Sequence, residues 1–185
     1  MYSASQRQTL LNAAQESIAY GLSNHCALPI NLEDYDDALT EHRATFVTLK
    51  MNGQLRGCIG TLEAYQPLIT DITNNAYAAA FSDPRFSPLT EPEFEQLDIH
   101  LSILSVPEKM SFTSEADLID SLQPGVDGII LKEGSSHRGT FLPSVWESLP
   151  DRQSFLGHLK QKAQLPFDYW SDTIECYRYT TESIE

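Results

Sequence analysis

The dipeptide Asn52-Gly53 constrains the fold of this chain more than any other feature of its sequence. It separates two runs in which apolar and polar residues alternate, ATFVTLKM and QLRGCIG. Asn-Gly between two such runs is the strongest short signal for a β-hairpin, because both central residues of a type I′ turn need positive φ. We therefore expect two antiparallel strands that pair directly on either side of this turn.

The hairpin also predicts which side chains lie opposite one another. A two-residue loop places Leu49 opposite Arg56 and Val47 opposite Cys58. Because side chains alternate across a strand, we expect Arg56 and Cys58 to share one face of the sheet with these two apolar partners. The residues between them are also partly apolar, which favours a sheet covered on both sides.

Helical and strand periodicities are mixed along the rest of the chain. Residue pairs three apart predict capping boxes at Ser5 with Gln8 and at Thr90 with Glu93. Hairpins outnumber strand-helix-strand units, so the predicted class is α+β with a largely antiparallel sheet flanked by helices. The predicted helices include SASQRQTLLNAAQESIAYGL, Pro67–Phe81, a segment capped by Ser114 and DRQSFLGHLKQKAQL. The predicted strands include DIHLSILSV, IILK and TFL around the loop EGSSHRG, and TIECYRYTT.

Length and composition restrict the class of protein. The 185 residues suit one domain, and we predict a single domain over residues 1–185. The net charge of −14 argues against non-specific binding of nucleic acid. The chain lacks both a membrane-spanning apolar run and a basic, apolar leader, so we expect a cytoplasmic protein that does not enter membranes. Its three cysteines form no C-x-x-C pair, so no zinc site or redox dithiol is predicted.

Cys58 and Arg56 are the candidate catalytic residues. A thiol needs a nearby cation to become mostly thiolate near neutral pH, and Arg56 lies two residues away on the same predicted face. The alternative is that Cys58 is a small buried hydrophobe. Arg56 in turn either binds an anion or forms an ion pair that fixes the hairpin, with Glu63 or Asp83 as its partner.

The candidate ligand-binding residues combine glycines with a polar turn. Gly57 and Gly60 would let a ligand approach the backbone closely. Asp83 and Arg85, in the turn SDPRF, either contact a ligand or pair with each other to brace a helix end. His100 is a candidate base for Cys58 if the fold brings the two together, and is otherwise an internally satisfied histidine.

Five ordered segments of the sequence resemble the AMMECR family, also called AmmeMemoRadiSam system protein A. The resemblance extends from about Phe46 to near the end of the chain and includes the family signature LRGCIG. The matching segments are TFVTLKMNGQLRGCIGTLEAYQPL, AYAAAFSDPRFSPLTEPE, LSILSVPEKM, GVDGIILKEGSSHRGTFLPSVWE and FLGHLKQKAQLPFDYW.

The resemblance implies an α+β unit with a larger and a smaller lobe and a cleft between them. It also implies a Memo-like protein and a radical-SAM protein as partners in a shared pathway or complex. The sequence itself points to no particular cofactor. Matched by position, the residues carried over are Arg56, Gly57, Cys58 and Gly60 of the signature, Asp83, Pro84, Arg85 and Phe86 of the DPRF turn, and Gly139, Leu142 and Pro143 of the RG-x-x-LP segment.

Three hypotheses follow for the function. In the first, Cys58 attacks or holds a small molecule while Arg56 or Arg85 binds its anionic group, with Gly139 as a further ligand contact. In the second, the chain is a non-catalytic docking subunit for the Memo-like and radical-SAM partners. In the third, RGCIG serves folding alone.

Overall fold

The computed structural model describes residues 1–185, which divide into two compact units. The first unit comprises Met1–Leu104 with Glu182–Glu185, and the second comprises Ser105–Thr181. The helices are α1 (Ala4–Asn24), α2 (Asp37–Thr40), α3 (Leu68–Phe81), α4 (Glu91–Phe94), α5 (Glu115–Ser121) and α6 (Arg152–Lys162). The strands are β1 (Thr45–Met51), β2 (Gln54–Gly60), β3 (Leu97–Leu104), β4 (Glu108–Lys109), β5 (Gly128–Glu133), β6 (His137–Phe141), β7 (Glu175–Tyr179) and β8 (Thr181–Ile184).

The predicted α+β class is confirmed, with the strands in two four-stranded sheets instead of one. The strand orders are β2-β1-β3-β8 and β4-β7-β5-β6, and all the ladders with a defined register are antiparallel. None of the helices combines the length and the apolar character needed to cross a bilayer. The single domain and the cleft between lobes stay predictions.

The β1–β2 hairpin turns where the sequence predicts. Asn52 and Gly53 have φ values of 52° and 75°, so both central residues adopt the left-handed conformation that a type I′ turn requires. Met51 therefore pairs with Gln54 across the turn. β2 lies at the edge of the first sheet, with β1 between it and β3.

A β-bulge overturns the predicted register beyond the turn. Leu49 pairs with Gly57 instead of Arg56, because Arg56 is the extra residue on β2 and has no partner on β1. The insertion shifts every later pair by one residue, so Cys58 pairs with Thr48 and not with Val47. The predicted grouping of Arg56 and Cys58 on the face of Val47 and Leu49 is therefore wrong.

The helices α1 and α3 cover one face of the first sheet and form its core. The spacing of apolar residues explains this, because each helix presents a continuous buried stripe to the strands. The helix α1 begins two residues earlier than predicted, since the capping box pairs Ser3 with Gln6 instead of Ser5 with Gln8. The core of this unit includes Leu10, Ala14, Ile18, Val47, Leu49, Ile69, Ile72, Ala76 and Leu101.

The second unit has its own core around stacked aromatic rings. The Trp146 and Phe155 rings are parallel with centroids 3.7 Å apart, and the Trp146 indole N–H donates to the Asp127 carbonyl at 2.8 Å. The β5–β6 hairpin is longer than the sequence suggested, because Glu133 pairs with His137 and the loop shrinks to residues 134–136. The remaining core side chains include Leu118, Ile129, Leu131, Leu156, Leu159 and Cys176.

Candidate functional site

Arg56 is buried and its charge is met inside the protein. Its side chain is 8% exposed, and its Nε and Nη2 donate to the two carboxylate oxygens of Glu93 at 2.9 and 3.1 Å. Nη2 also donates to the Ser87 carbonyl at 3.0 Å. The predicted partners Glu63 and Asp83 are wrong, because this two-pronged geometry engages the carboxylate of α4 instead.

The partner of Arg56 has a second structural role that the sequence did predict. Glu93 completes the capping box of α4, since its Oε2 accepts from the Thr90 amide at 2.9 Å. Hydrogen bonding to Arg56 lowers the pKa of Glu93 to about 2. One carboxylate therefore joins the bulge of β2 to the first turn of α4.

Cys58 lies partly buried on the face of the first sheet opposite the core. Its Sγ is 3.3 Å from Thr48 Oγ1, its neighbour on β1. Its backbone N–H donates to Asp83 Oδ2 at 2.9 Å, and its carbonyl accepts from Arg85 Nη2 at 3.3 Å. The outward-pointing backbone of the edge strand is thus satisfied by the two side chains of the DPRF turn.

Asp83 and Arg85 form the predicted pair, but they brace a strand edge instead of a helix end. The Arg85 Nε and Nη2 donate to the Asp83 carboxylate at 3.0 and 2.7 Å. Asp83 is almost fully buried, and the hydrogen bond from Arg85 holds the pKa of its carboxyl well below the usual range. The Arg85 side chain is 53% exposed, and none of these contacts uses its Nη1.

The two glycines of the signature are required by close packing. A Cβ on Gly57 would lie 2.1 Å from the backbone oxygen of Ala79 in α3, and one on Gly60 would lie 2.3 Å from the Phe46 ring. The close approach expected at these positions is therefore occupied by the protein itself. Gly139 lies in the second unit, where a Cβ would be 3.0 Å from the backbone of α6 at Leu159 and Ala163.

His100 and Cys58 are not direct neighbours. Thr48 on β1 pairs with Cys58 on one side and with His100 on the other, so two inter-strand spacings separate the thiol from the imidazole. The His100 Nδ1 lies 3.1 Å from Glu185 Oε1. No three His, Cys, Asp or Glu side chains are grouped so that they could hold a metal ion.

The geometry therefore divides the predicted site residues into two groups. Arg56 holds β2 against α4, Gly57 lets β2 pack closely on α3, and Gly60 lets it pack closely on Phe46 of β1. Cys58 and Arg85 also help to fix the edge of β2, but each keeps an accessible side chain beside the other. The residue that sequence reasoning missed is Thr48, whose place beside the thiol depends on the bulge.

Together, the fold and this strand define a class of α+β protein in which an Arg-Gly-Cys-Ile-Gly edge strand is fixed by an Asp-Pro-Arg-Phe turn. The AMMECR1 family model matches residues 11–184. The chain belongs to the AMMECR1 family.

Relatives and a solved structure agree with this membership. A protein of Methanothermobacter thermautotrophicus is 35% identical over 97% of this chain and 94% of its own length. A protein of Saccharolobus solfataricus is 38% identical over 78% of this chain and 66% of its own length. The crystal structure of an uncharacterised protein from Pyrococcus horikoshii superposes with a TM-score of 0.84 at 30% identity, covering 95% of this chain and 88% of that one.

Proposed function

We propose that this chain binds a small anionic molecule beside Cys58, with Arg85 as the contact to the anion. In this proposal the Cys58 thiol attacks or holds the molecule. The observation that carries the proposal is that a partly buried thiol and a half-exposed guanidinium lie at the same backbone position, where Arg85 Nη2 reaches the Cys58 carbonyl at 3.3 Å.

Exposure favours Arg85 over Arg56 as the anion contact, because both guanidinium groups are paired with a carboxylate. Arg56 engages both oxygens of Glu93, and its remaining nitrogen, Nη1, is buried without a hydrogen-bond partner, so Arg56 acts on the site by fixing β2. Arg85 pairs with Asp83 through Nε and Nη2, and Nη2 also donates to the Cys58 carbonyl, so Nη1 is the nitrogen that these contacts do not use. Asp83 is almost fully buried and the Arg85 side chain is 53% exposed, so the guanidinium is the charge of this pair that an anion can approach.

The test compares two alkylating reagents of similar size, the anion iodoacetate and the neutral iodoacetamide. We expect the ratio of the iodoacetate rate to the iodoacetamide rate at Cys58 to fall about fivefold in Arg85→Gln. The ratio should be retained in Arg85→Lys, because the attraction of the iodoacetate anion depends on the positive charge at this position. Rates are read by mass spectrometry on the folded chain. Arg43→Gln, which removes a cation paired with Glu41, is the matched control and should leave the ratio unchanged.

A second proposal is that the chain docks a Memo-like or radical-SAM partner through the signature strand. Leu55, in that strand, is 44% exposed, and Tyr65, which follows it, is 63% exposed. Exposed apolar side chains at a sheet edge suit a protein contact. Docking would be favoured over binding of a small anion by two results together. Arg85→Gln would leave the rate ratio unchanged, and the partner would copurify at low salt with the parent chain but not with Leu55→Glu.

A further inference from the structure

A line of four polar residues crosses the open face of the first sheet. The line runs from Cys58 on β2 through Thr48 on β1 and His100 on β3 to Glu185, which follows β8, in the order of the strands. Its first link is the 3.3 Å contact of Sγ with the Thr48 hydroxyl, and its last is the 3.1 Å contact of His100 with Glu185. Each end of the line is thus a side-chain contact.

The middle link follows from the strand register. Thr48 and His100 are direct partners on antiparallel strands, and directly opposed Cβ atoms lie roughly 4.5–5.5 Å apart. A threonine hydroxyl can donate one hydrogen bond while it accepts another, so it can pass a proton without changing its own charge. Nδ1 of His100 contacts Glu185 and no hydrogen bond joins Thr48 to His100 in the structure, so the relay requires Nε2 to turn toward the hydroxyl.

We propose that Thr48 and His100 form a proton relay that ionises the Cys58 thiol. The thiol proton moves to Thr48 Oγ1 as the hydroxyl proton moves to His100 Nε2, which leaves a thiolate at Cys58 and an imidazolium beside the Glu185 carboxylate. Thr48 and His100 are positioning residues, because neither touches the bound molecule. The relay deepens the proposed function and rests on Cys58 being its reactive group.

The other charged groups near these four residues are the same in every variant. Asp83 and Arg85 contact the backbone of Cys58. On the same face, Lys50 and Asp98 form the next cross-strand pair of β1 and β3, two residues along from Thr48 and His100. None of these four is altered in the test, so changes in the pH profile report on the relay.

The test measures the rate of Cys58 alkylation by iodoacetamide against pH in the full-length chain. We expect Thr48→Val and His100→Gln each to slow the reaction by about tenfold near pH 7, because the thiolate loses either the hydroxyl that donates to it or the imidazolium that balances its charge. All variants should converge with the parent chain at about pH 9.5, where hydroxide removes the thiol proton directly. Thr48→Ser keeps the hydroxyl and should stay within about twofold of the parent chain.

Two outcomes would overturn the relay. One is a Thr48→Val or His100→Gln rate within about twofold of the parent chain at every pH. The other is a rate of Cys58 alkylation that stays below that of the parent chain at high pH, which would indicate altered packing. Protection of the buried Cys176 from alkylation and the melting temperature report whether each variant is folded, and the exposed Cys26 controls for the activity of the reagent. The relay can fail while the iodoacetate preference at Arg85 holds, and the reverse, so the two proposals are separable.

Discussion

Gly57→Ala should lower the free energy of unfolding by about 3 kcal/mol or more, because the added Cβ would make the shortest contact of any glycine position in this chain. The added Cβ would lie 2.1 Å from the backbone oxygen of Ala79. Neither partner can yield by rotating a side chain, because one is the edge strand β2 and the other is the backbone of α3. The clash is relieved only if β2 moves away from α3, and that movement would disrupt the packed core between them.

Urea unfolding followed by far-ultraviolet circular dichroism measures this loss, and hydrogen exchange of β1 and β2 amides localises it. Both tryptophans, Trp146 and Trp170, lie in the second unit, so their fluorescence serves as an internal reference. The matched control is Leu55→Ala on the same strand, which removes an exposed side chain and should cost less than about 0.5 kcal/mol. A Gly57→Ala variant as stable as this control would contradict the packing described for the signature.

Glu93→Gln should cost about 3 kcal/mol, because it strands the buried charge of Arg56. The glutamine keeps an oxygen for the cap of α4, so the loss reports mainly on the ion pair. In the double variant Arg56→Met, Glu93→Gln we expect recovery of more than half of that loss, since no buried charge remains unpaired. Arg43→Ala, which breaks a more exposed pair with Glu41, should cost about 0.5 kcal/mol or less.

Acid provides an independent readout of the same pair. The pKa of Glu93 is lowered to about 2, so its contribution to stability is present above its ordinary value of 4.5 and is lost as the pH falls toward 2. Glu93→Gln should therefore lose less stability than the parent chain between pH 4.5 and pH 2. Equal acid dependence in the two chains would mean that Arg56 does not stabilise the ionised carboxylate.

Local sequence patterns predicted the turn, the helices and the class of fold. Asn52-Gly53 carries its own backbone preference, and the stripe along Pro67–Phe81 fixes α3 almost to the residue. The bulge at Arg56 was missed because a one-residue insertion leaves the alternation of neighbouring residues intact, although Gly57 inside a strand is the signal that could have indicated it.

The contacts of the site could not be read from spacing. Glu93 is 37 residues from Arg56, and only the three-dimensional path of α4 brings them together. The sequence does predict that Glu93 forms a capping box with Thr90, but a carboxylate in a capping box usually has its hydrogen-bond partners in its own helix. Thr48 lies beside Cys58 because of the bulge. A predicted register that was wrong by one residue therefore placed Val47 opposite Cys58 instead of Thr48.

The most direct test of the proposed function compares alkylation of the three cysteines by iodoacetamide in the folded chain. Cys176 is fully buried, and desolvation raises the pKa of its thiol to about 12, so it should react only after unfolding. Cys26 is exposed and sets the rate of an accessible thiol. We predict that Cys58 reacts in the folded protein at least as fast as Cys26. A Cys58 that stays as inert as Cys176 until the chain unfolds would contradict the proposal and leave RGCIG with a structural role.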